Sequence, residues 1–252
     1  MNNQKFDRGV GLIYKYHKSK HCSPKSWRLM LKTICASTEI ELSKWITEKP
    51  VKKNQPIAIF SSCQRFGKGQ AGRIWHAPKG GVWVSAAINR EDSSENNSQL
   101  YGLAVALALV ERIERIGVNV NIKWPNDLLV DGQKLAGILP RLFFRGGKLR
   151  LLRVGVGLNV FNNVPQEGIS LKQIIGDKTM NINFWSSEVL LAIERSLDLL
   201  DNKNFLCSQV EQRLWSRKYT DKETGLRWDI KGIDSSGGLI LFKENKVKVM
   251  ST

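Results

Sequence analysis

Apolar positions recur along the chain with two different periods, and the switches between them lay out its elements. Ile40, Leu42, Trp45 and Ile46 fall on a helical spacing just after Ser37 and Thr38, whose hydroxyls can cap a first turn. The pattern predicts a short helix over 39–46. Residues 56–60 and 82–89 are compact apolar runs that read as buried strands. Residues 100–116 carry an almost continuous apolar face and form the strongest helix of the chain. Gly117 suits its C-terminal cap, because glycine adopts the left-handed turn at little steric cost. Residues 118–124 then return as a strand. Leu128, Leu129 and Val130 are followed by Asp131-Gly132, a dipeptide that favours a two-residue hairpin turn, so Lys134 begins the returning strand beside Asn126 and Asp127. Residues 149–160 read as a central strand, and 184–200 and 205–215 as two further helices, with Trp185, Phe205 and Trp215 expected in the core. From Leu226 the pattern breaks into short strands over 228–233, 239–242 and 247–250, a small β-meander. A mixed sheet with helices packed on it, followed by a small β unit, is the architecture these periods predict.

Composition narrows the classes of function. The 252 residues hold no apolar run long enough to span a membrane, and the first twenty are polar and basic, unlike a signal peptide. A soluble, cytoplasmic protein without membrane partners is expected. Cys22, Cys35, Cys63 and Cys207 share no C-x-x-C spacing and imply free thiols, while His17-x-x-x-His21-Cys22 lacks a fourth metal ligand. Lysine and arginine outnumber acids by 39 to 23, which invites a nucleic-acid partner. No helix-turn-helix, zinc-finger or RNP pattern accompanies the charge, so specific DNA binding is not expected. Steering of anionic ligands and of an acidic partner is the better use for it.

Two segments carry candidate chemistry. Lys123-Trp124-Pro125-Asn126-Asp127, the hairpin and Lys134 gather two lysines, an amide and a carboxylate. An ammonium held there can bind a carboxylate and a phosphate together, as activation of a carboxylic acid requires. Upstream, Gly67-x-Gly69-x-x-Gly72 is interleaved with Lys68 and Arg73, the composition of a backbone loop that folds over an anion. Its spacing matches the dinucleotide fingerprint. The next element is a strand rather than a helix, however, so the βαβ setting of that fingerprint is missing.

Lys-Trp-Pro-Asn-Asp at 123–127 with Lys-Leu-Ala-Gly-Ile-Leu at 134–139 resembles the central signature of biotin protein ligases. Residues 64–75 resemble that family's glycine- and arginine-rich loop. Ser37-Thr38 and Gly155-Val156-Gly157-Leu158-Asn159 extend the likeness, which covers about residues 33–160 well and the remainder loosely. The resemblance implies an α+β fold: a class II synthetase-like mixed β-sheet with packed helices, plus a small C-terminal SH3-like β-cap. It implies a basic leader over 1–32, a catalytic domain over 33–222 and the cap over 223–252. About thirty residues precede Ser37-Thr38, too few for the N-terminal DNA-binding domain that some members carry, so the monofunctional class is expected.

The activity implied is ATP-dependent formation of biotinyl-5′-AMP and transfer of biotin to a lysine of the biotin carboxyl carrier protein of acetyl-CoA carboxylase. ATP and biotin would be substrates, with Mg²⁺ required, and a homodimer is one compatible assembly. By the same resemblance, Ser37, Thr38, Gln64, Gly67, Lys68, Gly69, Gln70, Trp75, Lys134 and Gly137 would surround biotin. Lys68, Arg73, Lys123, Asn126, Asp127 and Asn159 would bind ATP. Lys134, Arg73, Lys68, Asp127 and Lys123 would carry the chemistry, with Asp127 either on Mg²⁺ or orienting the acceptor amine. The nearest rival is a lipoate or octanoate ligase or transferase, and a non-catalytic nucleic-acid-binding protein is a second. The chain departs from the family pattern in two places. Lys68, Gln70 and Ala71 stand where three arginines are common, so the loop is expected to close less firmly and the activated intermediate to leak. Glu39 stands where asparagine commonly follows Ser-Thr.

Overall fold

The computed structural model describes residues 9–19, 25–52, 54–90, 98–145, 148–221 and 223–251. In chain order the elements are α1 (Val10–Ser19), β1 (Arg28–Cys35), α2 (Thr38–Glu48), β2 (Ile57–Lys68), β3 (Ile74–Ala77), β4 (Val82–Asn89), α3 (Ser98–Glu114), β5 (Asn121–Lys123), β6 (Asp127–Val130), β7 (Gln133–Arg145) and β8 (Lys148–Leu158). They continue with α4 (Leu171–Ile175), α5 (Ile182–Asp201), α6 (Lys203–Gln212), β9 (Lys218–Thr220), β10 (Arg227–Ile233), β11 (Leu239–Lys243) and β12 (Lys246–Met250). The large sheet runs β1-β2-β4-β8-β7-β6-β5, with β3 paired to β2. It is mixed because β1 lies parallel to β2 while its other pairs are antiparallel. The expected α+β fold is present, and β9 to β12 form the C-terminal antiparallel cap.

Strand alternation gives the sheet two different faces. Val84, Ala86 and Ile88 of β4 and Leu152, Val154 and Val156 of β8 turn to the main core under α3 and α5. Residues of the opposite parity, such as Ile57, Ile59 and Ala87, meet only the small cluster around Leu42 of α2. The thinly covered face beside α2 is therefore where a cavity can form.

Ser37 caps α2, its hydroxyl accepting from Glu39 N at 3.3 Å, and Gly117 ends the α3 turn with φ +79°. Asp131 and Gly132 both have positive φ, as the expected hairpin turn demands. Where it is described, the basic segment before residue 32 packs on the rest of the chain. Its helix α1 packs on α5, with His17 Nε2 2.9 Å from Glu194 Oε1, and Trp27 Nε1 donates to the same oxygen at 2.5 Å. The division expected at residue 32 falls inside β1, and the one at 222 separates β9 from β10, with which it pairs. Of the aromatics expected in the core, Trp185 is fully buried. Phe205 is instead 41% exposed, because α6 covers the core only through Leu206, Cys207 and Val210, and Trp215, beyond the end of α6, is 45% exposed. His21 and Cys22 lie outside the described residues; Cys35, Cys63 and Cys207 are free thiols.

Candidate active site

The floor of the site comes from the pairing of β7 with β8. Gly137 stands opposite Gly157, Leu139 opposite Gly155 and Arg141 opposite Arg153, all six on the α2 face. The glycines leave a trough, and the indole of Trp75 lies over one end. A methyl group on Gly157 would come within 2.6 Å of that ring, and one on Gly137 within 2.9 Å. Arg153 closes the other end.

Strict alternation would turn Lys134 away from this trough, since it lies three residues from Gly137. The register between β6 and β7 jumps from Leu128–Ala136 to Leu129–Lys134, leaving Leu135 as an extra residue. This bulge brings Lys134 to the trough. Its Nζ lies 2.6 Å from Asp127 Oδ1 and 4.9 Å from the centre of the Trp75 ring. Asn126 holds the hairpin from below, its Nδ2 donating to Ile138 O at 2.7 Å.

Polar groups crowd the end away from Lys134. Gln64 Oε1 accepts from Thr38 N at 2.7 Å and from Thr38 Oγ1 at 3.1 Å, which settles the orientation of the amide. Ser85 Oγ is 2.8 Å from Thr38 Oγ1 and must be the donor there, since the threonine proton is already committed. Glu39 Oε1 pairs with Arg153 at 2.7 Å and lies 3.9 Å from Arg141. Arg153 also donates to Glu39 O and Ser43 Oγ. Burial holds the Arg153 guanidinium below the usual arginine range, an effect Glu39 opposes and Arg141 reinforces.

The glycine-rich segment forms the rim. Gly69 N donates to Arg73 O at 2.7 Å, and between them Ala71 and Gly72 take positive φ. Three concavities meet here. The inner cavity takes in Ser37, Thr38, Glu39, Gln64, Lys68, Gly69, Gln70, Arg73, Trp75, Lys134 and Gly137. A larger outer cleft toward the cap, about 740 Å³ against about 130 Å³, shares Gln70, Arg73, Asn126 and Asp127 with it and adds Lys123, Trp215 and Lys218. A third hollow shares Ile74, Trp75 and Lys134 and adds His76, Asn159 and Glu167. Of the residues expected around biotin, only Gly67 is missing from the inner cavity lining; it is buried against the backbone of Trp75. Lys123 belongs to the outer cleft alone among the three. Asn159 borders the third hollow, but its side chain is already engaged, with Nδ2 donating to Lys134 O and Oδ1 accepting from Asn162.

Ser85 and Arg153 were not singled out in the sequence. The period-two series Arg153, Gly155, Gly157 was the signal that could have found Arg153.

Residues 41–159 match the model of the biotin/lipoate A/B protein ligase family. Biotin–protein ligase 2 of Arabidopsis thaliana is 30% identical over 232 residues, 84% of this chain and 68% of that protein. The bifunctional ligase/repressor of Bacillus subtilis is 37% identical over 129 residues, and the match spans 48% of this chain but only 39% of that protein's length. A mutant biotin protein ligase from Aquifex aeolicus, solved in complex with biotin, superposes with a TM-score of 0.71 at 26% identity, covering 88% of this chain and 94% of its own. The chain belongs to the biotin protein ligases of the biotin/lipoate A/B protein ligase family.

Proposed function

We propose that the chain forms biotinyl-5′-AMP from biotin and ATP and transfers the biotinyl group to a lysine of a biotin carboxyl carrier domain, such as that of acetyl-CoA carboxylase. The observation that carries this reading is the place of Lys134, which lines both the inner cavity and the third hollow. A carboxylic acid in one and a nucleotide in the other would meet at its ammonium.

A carboxylate oxygen attacks the α-phosphorus, the new P–O bond forms, and pyrophosphate departs with the electrons of the bond it breaks. Negative charge gathers on the phosphoryl oxygens, where Lys134, Lys68 and Arg73 act by position and charge. Lys123 and Lys218 in the outer cleft suit the departing pyrophosphate. In the second step the acceptor amine attacks the acyl carbon, the C–N bond forms, AMP leaves and the amine loses a proton. Asp127 faces both cavity and cleft. Once a substrate carboxylate draws Lys134 away, Asp127 is freed to orient that amine or to meet Mg²⁺. The donor set suits an ion that arrives on the nucleotide, since among the described residues no group of three His, Cys, Asp or Glu side chains gathers to hold a metal.

The polar inner end formed by Thr38, Gln64, Ser85 and Glu39 favours a ureido head over lipoate or octanoate, whose apolar ends would offer nothing to the Gln64 NH₂ and the second Glu39 oxygen. Among the described residues no helix is long and apolar enough to cross a membrane. The test is biotin-dependent exchange of labelled pyrophosphate into ATP, followed by mass increase of a carrier domain on its lysine, with lipoate as a competing acid. Exchange and transfer with biotin alone are expected, and exchange with lipoate in preference to biotin would overturn the reading.

Gln70 carries a separate prediction. Its backbone carbonyl accepts from Arg73 N and Nε, whereas its uncharged side chain sits on the rim shared by the inner cavity and the outer cleft. Gln70→Arg should slow loss of the preformed adenylate about tenfold, the scale of one charge-assisted hydrogen bond. Trapping of released intermediate after gel filtration reads this directly, and an unchanged rate would rule out a leaky rim.

A further inference from the structure

We infer that Glu39 determines which acid the cavity accepts: its second carboxylate oxygen takes a hydrogen bond from a ring N–H of the ligand's head, so the site selects a cyclic urea. This deepens the ligase reading above and rests on it.

The argument begins with how a carboxylate is kept at this depth. Glu39 is 9% exposed, yet it sits in the first turn of α2, where free backbone N–H groups favour negative charge, and Arg153 and Arg141 approach it from β8 and β7. Those contacts use Oε1, and Arg153 is steadied in turn by Glu39 O, by Ser43 Oγ and by the face of Phe143, 4.7 Å from its ring centre. Oε2 has no hydrogen-bond partner among the described residues, and Glu39 lines the cavity. Arg153 is thus a positioning residue, and Glu39 is the one that meets ligand.

The neighbouring polar groups explain why an acceptor is needed. Protons run from Ser85 Oγ to Thr38 Oγ1 and on to Gln64 Oε1, and the chain ends at the Gln64 NH₂. That end suits a carbonyl oxygen. A cyclic urea also brings two N–H donors, and Glu39 supplies the charged acceptor for one of them. A hydrocarbon or dithiolane head brings none, and it would bury the carboxylate against carbon.

Calorimetric titration of the full chain, wild type and Glu39→Gln, with biotin, its two mono-N-methylated urea analogues and lipoate tests this. Glu39→Gln should weaken biotin about tenfold and shrink the biotin-to-lipoate preference by a similar factor. One of the two methyl analogues should bind wild type and variant alike, because methylation and substitution remove the same bond and their effects do not add. An equal loss for every ligand would make Glu39 a structural ion pair and overturn the inference, as would unchanged affinities. Should Glu39→Gln not fold, Glu39→Asn takes its place, and the wild-type comparison of the two methyl analogues stands alone; equal affinity for both would overturn it. Failure of wild type to bind biotin would overturn the ligase reading itself and this inference with it.

Discussion

Lys134→Ala should lower kcat/KM for biotin-dependent pyrophosphate exchange by on the order of a thousandfold, the scale seen when a positioned charge donor is removed from a developing oxyanion. The expectation follows from its shared place between two concavities and from the absence of another lysine at that junction among the described residues. The fold should survive, because the Lys134 side chain is one-third exposed and its partner Asp127 can turn to solvent. Lys134→Arg keeps the charge but replaces a compact ammonium with a planar fork, and should recover only part of the activity. Exchange within threefold of wild type in the alanine variant would show that another group activates the acid.

Gly157→Ala should weaken biotin binding about a hundredfold by calorimetry, with a loss of stability of only about 1–3 kcal/mol, since one added methyl here forces a large side chain across the site rather than opening a hole. The new methyl would stand 2.6–2.7 Å from Trp75 Cε2, Cζ2 and Nε1, closer than carbon atoms can approach. Gly157 has no positive φ, so alanine meets no backbone strain and the strand can form as before. Trp75, on the short strand β3 that pairs with the end of β2, is the side chain that must give way, and it lines the cavity. Pairing Gly157→Ala with Trp75→Leu should restore part of the affinity by making room. Unimpaired binding in the single variant would mean that Trp75 does not wall the acid's chain.

Much of the architecture was legible because local periods agreed with the final packing. The strand Val82–Asn89 was marked by an apolar run interrupted only by Ser85 before Asn89, and the helix Ser98–Glu114 by an apolar face so broad that only a buried position suits it. Asp131-Gly132 identified its turn because few residues other than glycine, asparagine and aspartate accept positive φ there. Less legible was the strand Arg28–Cys35, whose polar and apolar residues do not alternate cleanly because it lies at the sheet edge and pairs on one side only. The cap strand Lys218–Thr220 is too short to carry a period of its own.

By itself the sequence determined most of the elements, the glycine-rich rim and the groups proposed to activate an acid, since all of these depend on residue type and short spacing. Only the tertiary structure decided which of those groups share a space. A single extra residue at Leu135 brings Lys134 to the same trough as Gly137, and no residue type announces a bulge. Glu39 meets Arg153 across 114 positions of chain, and Asp127 faces an inner cavity and an outer cleft at once. These proximities come from register and from the closing of one strand on another, which are properties of the whole sheet and are not carried by any local stretch.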